Sequence, residues 1–120
     1  MAFEVREPKR GITTPLILLI GASGSGKSHG ALALACGIGK NVIAIDTENK
    51  RLDLFKDDFK FKKIDLKPPY SSNRYIAAVD AAIEAGADVL VIDQISFEWA
   101  GTGGVLQQVD DNPANNQMAR

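Results

Sequence analysis

The sequence has little cysteine, little net charge and no long apolar run. Cys36 is the single cysteine in 120 residues, which excludes an internal disulfide and is typical of the reducing cytoplasm. The net charge of −1 argues against broad electrostatic capture of nucleic acid or of a membrane surface. The N-terminal residues are charged and resemble no secretory signal, and no segment is long enough to span a bilayer. We therefore expect one cytoplasmic domain without a membrane partner.

The sequence does contain a complete phosphate-binding motif, G-x-x-x-x-G-K-S. Its residues are Gly21, Ala22, Ser23, Gly24, Ser25, Gly26, Lys27 and Ser28. Glycines let backbone N–H groups approach phosphate oxygens, and Lys27 is suited to reach the β- and γ-phosphates while the Ser28 hydroxyl binds Mg²⁺. The flanks fit, because the apolar run 15–20 predicts a buried parallel strand and a helix is predicted after the motif. The motif therefore predicts a site for a nucleoside triphosphate with Mg²⁺.

Strands and helices are predicted to alternate along the rest of the chain. Apolar runs ending in aspartate predict buried parallel strands over 41–46 and 88–93, and the alternating segment 59–64 predicts an edge strand. A short helix or turn is expected over 50–58, and a longer helix from a serine cap to Gly86. Each main helix should bury one apolar stripe, formed by Ala31, Leu34, Ala35 and Ile38 in the first and by Ile76, Val79 and Ile83 in the second.

This order of elements predicts an α/β fold, a three-layer sandwich around a mostly parallel sheet of about four or five strands. The whole chain, 1–120, would be one nucleotide-binding core. Within it, residues 1–14 would form an N-terminal arm or an edge strand, and residues 107–120 a polar tail.

Two acidic residues follow the predicted strands at the end of the sheet where ligands bind in open α/β folds. Asp93 ends the strand 88–93, where a carboxylate can hold Mg²⁺, although a loop aspartate after a buried strand is also common. Glu48 lies two residues beyond Asp46. It could polarise a water molecule for attack on the γ-phosphate, or it could be a loop residue that faces solvent or pairs with Lys50 or Arg51. Position alone leaves both interpretations open.

Several segments together resemble phage-encoded RecA-like P-loop ATPases, among them AAA-family proteins of the single-strand annealing type. The matching segments are Gly21–Ser28, Ile45–Glu48, Pro68–Tyr70 with Arg74 and Tyr75, Val91–Asp93, Glu98–Trp99 and Gly101. The resemblance implies that Lys27 and Ser28 bind phosphate and Mg²⁺, that Asp93 is a second Mg²⁺ ligand, and that Glu48 is the general base. It also implies ATP as the nucleotide, homo-oligomers, and action with single-stranded DNA in recombination or replication.

The chain departs from the family pattern at three places. Gln94 replaces the usual serine or threonine after the Walker-B aspartate, and Phe97 stands where a histidine is expected. The family also continues through further strands, so the resemblance predicts a chain truncated after the Walker-B region. Two other functions therefore stay open: a nucleotide-binding module without turnover, and a small P-loop phosphotransferase, for which no arginine-rich lid is visible.

Direct sequence support for DNA binding is thin. The segment 51–67 contains six basic and four acidic residues with interleaved phenylalanines, which could bind a nucleic acid backbone and stack on bases. A solvated sheet edge with its apolar face packed inward is the simpler interpretation. Trp99, which by resemblance lies near a DNA-facing loop, is expected to anchor the following helix to the core.

Overall fold

The computed structural model describes residues 2–11, 14–22 and 24–112. In chain order its helices and strands are α1 (Lys27–Ile38), β1 (Val42–Asp46), a 3₁₀ helix (Arg51–Phe55), β2 (Lys62–Asp65), α2 (Ser72–Glu84), β3 (Val89–Asp93), α3 (Ser96–Ala100) and α4 (Val105–Asp111). The strands form a parallel sheet in the order β2-β1-β3. This is the predicted α/β architecture, and it is consistent with a P-loop NTPase.

The central strand β1 is buried along its whole length because helices cover both faces of the sheet. Val42 and Ala44 face a core cluster that contains Leu32 and Ala35 of α1. Ile45 faces the opposite cluster, which contains Tyr75 and Ala78 of α2. Alternate residues of one strand therefore contribute to two cores, and the domain has three layers: α1, the sheet and α2.

The sheet register places three aspartates in one row at the carboxyl ends of the strands. Asp46 of β1 pairs with Asp65 of β2 on one side and with Asp93 of β3 on the other. Parallel strands end at the same edge of a sheet, so this row borders the place where ligands bind in such folds. The adjacent carboxylates repel one another unless each has its own cation or hydrogen-bond donors.

The predicted strand over 15–20 is not formed. The described residues 14–22 belong to no strand, and the side chains of Leu16, Leu18 and Ile20 are exposed. The sheet of the described residues accordingly has three strands, fewer than the four or five that the sequence predicts. The apolar run indicates that burial would be favourable, but a strand also needs a neighbour with free backbone groups, and composition does not specify that neighbour.

The apolar stripes of the helices were predicted correctly only in part: Ala35 is buried, and Ala31 and Val79 pack against the core clusters, but other predicted positions are exposed. In α2 the buried residues are Tyr75, Ala78 and Ala82, whereas Ile76 and Ile83 are exposed. The buried set has the predicted spacing but begins one residue earlier, because small alanines allow α2 to pack closely on the sheet. In α1, Leu32 and Ala35 are buried, while the predicted Leu34 and Ile38 are exposed.

Candidate functional site

The phosphate-binding motif forms a loop that leads directly into α1. Gly24 and Gly26 have φ angles of 79° and 88°, a left-handed conformation that residues with a Cβ adopt at a cost. A Cβ built on Gly26 would meet nothing within 4 Å, so its outer side faces open space. Gly26 is the residue before the first helical turn and has no side chain with which to cap it. The N–H groups of that turn therefore suit an anionic ligand.

The other residues of the motif differ in their relation to the site. Lys27 and Ser28 are the first residues of α1, and Lys27 forms no ion pair within the described part of the chain. Ala22 accepts a hydrogen bond from the backbone N–H of Ser25 at 3.1 Å, which tightens the loop. Gly21 precedes that turn. Ser23, also a predicted contact, lies outside the described residues.

Ser28 and Asp93 meet across the site although they are 65 residues apart in the chain. The Ser28 Oγ donates a hydrogen bond to Asp93 Oδ2 at 2.5 Å. A hydroxyl and a carboxylate are hard oxygen donors, the class of ligand that Mg²⁺ prefers. Because Mg²⁺ in such sites also binds substrate phosphates and water, two neighbouring protein oxygens of these types suit the ion.

A cavity of about 410 Å³ joins the loop to the strand ends. The residues that line it are Gly24, Gly26, Lys27, Ser28, His29, Glu48, Arg51, Phe55, Asp93 and Gln94. The four side chains that the sequence singled out for chemistry, those of Lys27, Ser28, Glu48 and Asp93, are thus brought to one cavity. Gly21, Ala22 and Ser25 belong to the loop but are not among its lining residues.

The position of Glu48 is compatible with both interpretations of the sequence, a carboxylate at the ligand site and a loop residue paired with Arg51. Its carboxylate lies at the cavity, with a side chain 23% exposed, and it also forms an ion pair with Arg51 at 3.3 Å. Both partners are partly exposed, so the pair contributes little to stability, about 0–1 kcal/mol. Such a weak contact leaves the carboxylate available to a ligand. The pair therefore does not exclude a chemical role for Glu48.

The backbone around Glu48 is held by Asp46, whose role the sequence analysis missed. Asp46 Oδ1 accepts the N–H of Glu48 at 3.0 Å, and its Oδ2 accepts the N–H of Leu52 at 3.0 Å. Lys63 contacts the same Oδ2 at 3.3 Å and also pairs with Asp53 and Asp65. Burial by itself lowers the pKa of Lys63, but hydrogen bonds to Asp53, Asp65 and Asp46 outweigh it and raise the pKa above its ordinary value.

Thr47 joins the ends of β1 and β3 and is a second residue that the sequence analysis did not single out. Its N–H donates to the carbonyl of Asp93 at 2.9 Å, and its Oγ1 accepts the N–H of Gln94 at 2.8 Å. The Tyr75 hydroxyl donates to the carbonyl of Gln94 at 2.8 Å. Burial, followed by the charges of Tyr70 and Glu98, raises the pKa of Tyr75 to about 12. These bonds fix Asp93 and Glu48 relative to each other.

Of the two segments considered for DNA binding, segment 51–67 agrees with its simpler interpretation, whereas Trp99 does not pack as expected. Phe55, Phe59 and Phe61 are half-buried against the core cluster on the α1 side, as the simpler interpretation requires. His29 contacts the rings of Phe55 and Phe59 edge-on at the margin of the cavity. Trp99 was expected to be packed in the core, but it is 57% exposed on the short helix α3, so that expectation is wrong.

No helix among the described residues combines the length and the apolar character needed to cross a membrane.

A family model described as AAA domain matches residues 13–119, which is most of the chain. No curated protein and no solved structure matches the chain.

Proposed function

Because the chain belongs to the AAA-domain family, whose members are nucleotide-binding P-loop ATPases, we propose that it binds and hydrolyses ATP with Mg²⁺ at the cavity between the phosphate loop and the strand ends. The observation that carries this proposal is the convergence of Lys27, Ser28, Glu48 and Asp93 on that cavity, with Ser28 and Asp93 in contact at 2.5 Å.

The residues have distinct roles in the proposed reaction. Lys27 and the first N–H groups of α1 bind the β- and γ-phosphates. Ser28 and Asp93 would hold Mg²⁺, which would supply positive charge to neutralise the phosphate oxygens. Glu48 accepts a proton from the attacking water and orients that water in line with the γ-phosphate. Arg51 contacts Oε2 of Glu48, and this weak surface pairing leaves the carboxylate able to take the proton.

The first experiment is steady-state ATP hydrolysis by the purified chain, with Lys27→Ala and Glu48→Gln as test variants. Lys27→Ala should lose nucleotide affinity, whereas Glu48→Gln should bind the nucleotide normally and lose about 10²–10⁴-fold in kcat. The matched controls are Lys62→Ala and Glu84→Gln, which change exposed residues of the same types away from the cavity. Nucleotide binding that is unchanged in Lys27→Ala would refute the site.

The same assay separates the alternatives. ATP binding without turnover identifies a nucleotide-binding module, and phosphate transfer to a small acceptor identifies a phosphotransferase. Single-stranded DNA is added in a parallel series, because stimulation by DNA is what the resemblance to RecA-like ATPases predicts. Turnover per chain is also measured against protein concentration, since an oligomeric enzyme gains specific activity as it assembles.

A further inference from the structure

We propose that Asp46 and Lys63 are positioning residues that hold Glu48 in the geometry needed for hydrolysis. This inference rests on the proposed function, because Asp46 and Lys63 would affect the reaction only by positioning Glu48. Neither residue lines the cavity. Their effect on the reaction therefore has to pass through the turn that carries Glu48.

The Asp46 carboxylate ties together both ends of that turn. One oxygen accepts the N–H of Glu48 and the other accepts the N–H of Leu52, each at 3.0 Å. Leu52 has 0% of its surface exposed and is packed in the core cluster on the α1 side, so the far end of the turn is anchored. The segment from Asp46 to Leu52 is thus a closed loop whose dimensions are set by one buried carboxylate.

The turn needs such restraint because its backbone is strained. Asn49 and Lys50, immediately after Glu48, have φ angles of 54° and 64°. Residues with a Cβ adopt the left-handed region at a cost, so two consecutive ones persist there only where surrounding contacts impose the conformation. The hydrogen bonds of Asp46 on both sides of Asn49 and Lys50 supply those contacts. Without them the turn would relax and carry Glu48 with it.

Lys63 compensates the buried negative charge of Asp46. Asp46 is 2% exposed, and a carboxylate that has lost its hydration needs a cation beside it as well as hydrogen-bond donors. The Lys63 ammonium lies 3.3 Å from Asp46 Oδ2, and its side chain is 15% exposed. The register places Lys63 opposite Ala44 and leaves Asp65 opposite Asp46. An ammonium on the neighbouring strand therefore reaches across to the buried carboxylate.

The test compares Lys63→Met with Lys63→Arg, which retains the charge. Lys63→Met should lower kcat about 10- to 100-fold with little change in KM or in nucleotide affinity, and Lys63→Arg should recover most of the rate. The matched control is Asp53→Asn. It removes another partner of Lys63, at 2.8 Å, without touching Asp46, and should stay within about 2-fold of the unmodified chain.

A double variant separates positioning from a general loss of structure. If Lys63 acts through Glu48, adding Lys63→Met to Glu48→Gln should lower the residual rate by less than about 2-fold, because the group being positioned is already gone. An equal loss in both backgrounds would overturn the inference. If Lys63→Met does not fold by circular dichroism, Asp46→Asn takes its place in both backgrounds, with the same expected results.

A readout independent of turnover distinguishes failure of this inference from failure of the proposed function. Amide hydrogen exchange followed by NMR should show faster exchange at Glu48 and Leu52 in Lys63→Met, with unchanged exchange in the centre of α2. Protection that is unchanged at both amides would refute the inference even in an active enzyme. Faster exchange in a protein without turnover would leave the turn mechanism in place and refute the proposed hydrolysis alone.

Discussion

Replacing Thr47 with valine should destabilise the domain by about 2 kcal/mol although the two side chains have nearly the same shape. Thr47 is 3% exposed at the junction of β1 and β3. Its hydroxyl accepts the N–H of Gln94 at 2.8 Å and has the carbonyls of Asp93 and Gln94 within 3.1 and 3.3 Å. Valine keeps the volume and removes each of these polar contacts.

The size of the expected loss of stability depends on which former partners of the Thr47 hydroxyl keep another hydrogen bond. The carbonyl of Asp93 still accepts the N–H of Thr47 at 2.9 Å, and that of Gln94 still accepts the Tyr75 hydroxyl, so both carbonyls stay satisfied. The N–H of Gln94 loses the partner that the structure gives it, beside a side chain that is 3% exposed. An unsatisfied buried donor costs about 1–3 kcal/mol, and this term dominates.

Urea denaturation measures the effect directly. With an m-value of about 1–3 kcal/mol/M for a small domain, the loss should lower the transition midpoint by about 1 M at an unchanged m-value. Thr47→Ser, which retains the hydroxyl, and Thr102→Val, which changes an exposed threonine, are the controls and should each cost less than about 1 kcal/mol. A cost below about 0.5 kcal/mol for Thr47→Val would refute the assigned role of the hydroxyl.

Two further predictions concern the metal ligand and high pH. Asp93→Ala should weaken Mg²⁺-dependent nucleotide binding at least 10-fold in a titration calorimeter while the chain stays folded, and an unchanged Mg²⁺ dependence would contradict the ligand role. Because the pKa of Tyr75 is raised to about 12 from 10.0, its stabilising effect is complete below pH 10 and is lost as the pH rises through 12. The stability difference between the unmodified chain and Tyr75→Phe should therefore shrink from pH 8 to pH 11, and a constant difference would contradict the shift.

The sequence predicted those parts of the fold and site that depend on local patterns. The motif ending at Ser28 has a fixed spacing, and the apolar runs ending at Asp46 and Asp93 have the length and composition of buried parallel strands. The run 15–20 has the same composition and is not a strand, because pairing depends on a partner that the run itself does not encode.

The residues that the sequence analysis missed act through contacts between distant segments. Thr47 bonds to residues more than 40 positions away, and Lys63 lies 17 positions from Asp46. One signal for Lys63 was present: Lys63 and Asp65 are two positions apart in an alternating segment, so they share a face beside a strand that ends in a buried aspartate. Only the register of β1 with β2 shows that this face meets Asp46.

The row of aspartates across the sheet explains why position alone could not assign the chemistry. Asp46, Asp65 and Asp93 share residue type and register, yet their partners differ. Asp65 pairs with Lys63 at the edge, and both oxygens of Asp46 are occupied by backbone N–H groups and by Lys63. Asp93 has as its side-chain partner the Ser28 hydroxyl of the phosphate loop.

A divalent ion needs carboxylate oxygens that are not already neutralised by a cation. Asp93 meets that condition, since its carboxylate faces a neutral hydroxyl at the cavity, whereas Asp46 and Asp65 share the ammonium of Lys63. Asp46→Asn should therefore act on kcat through the turn of Glu48, while Asp93→Ala should act on metal affinity. The two carboxylates of one row are expected to have separable effects because Asp46 holds backbone N–H groups and Asp93 lines the cavity.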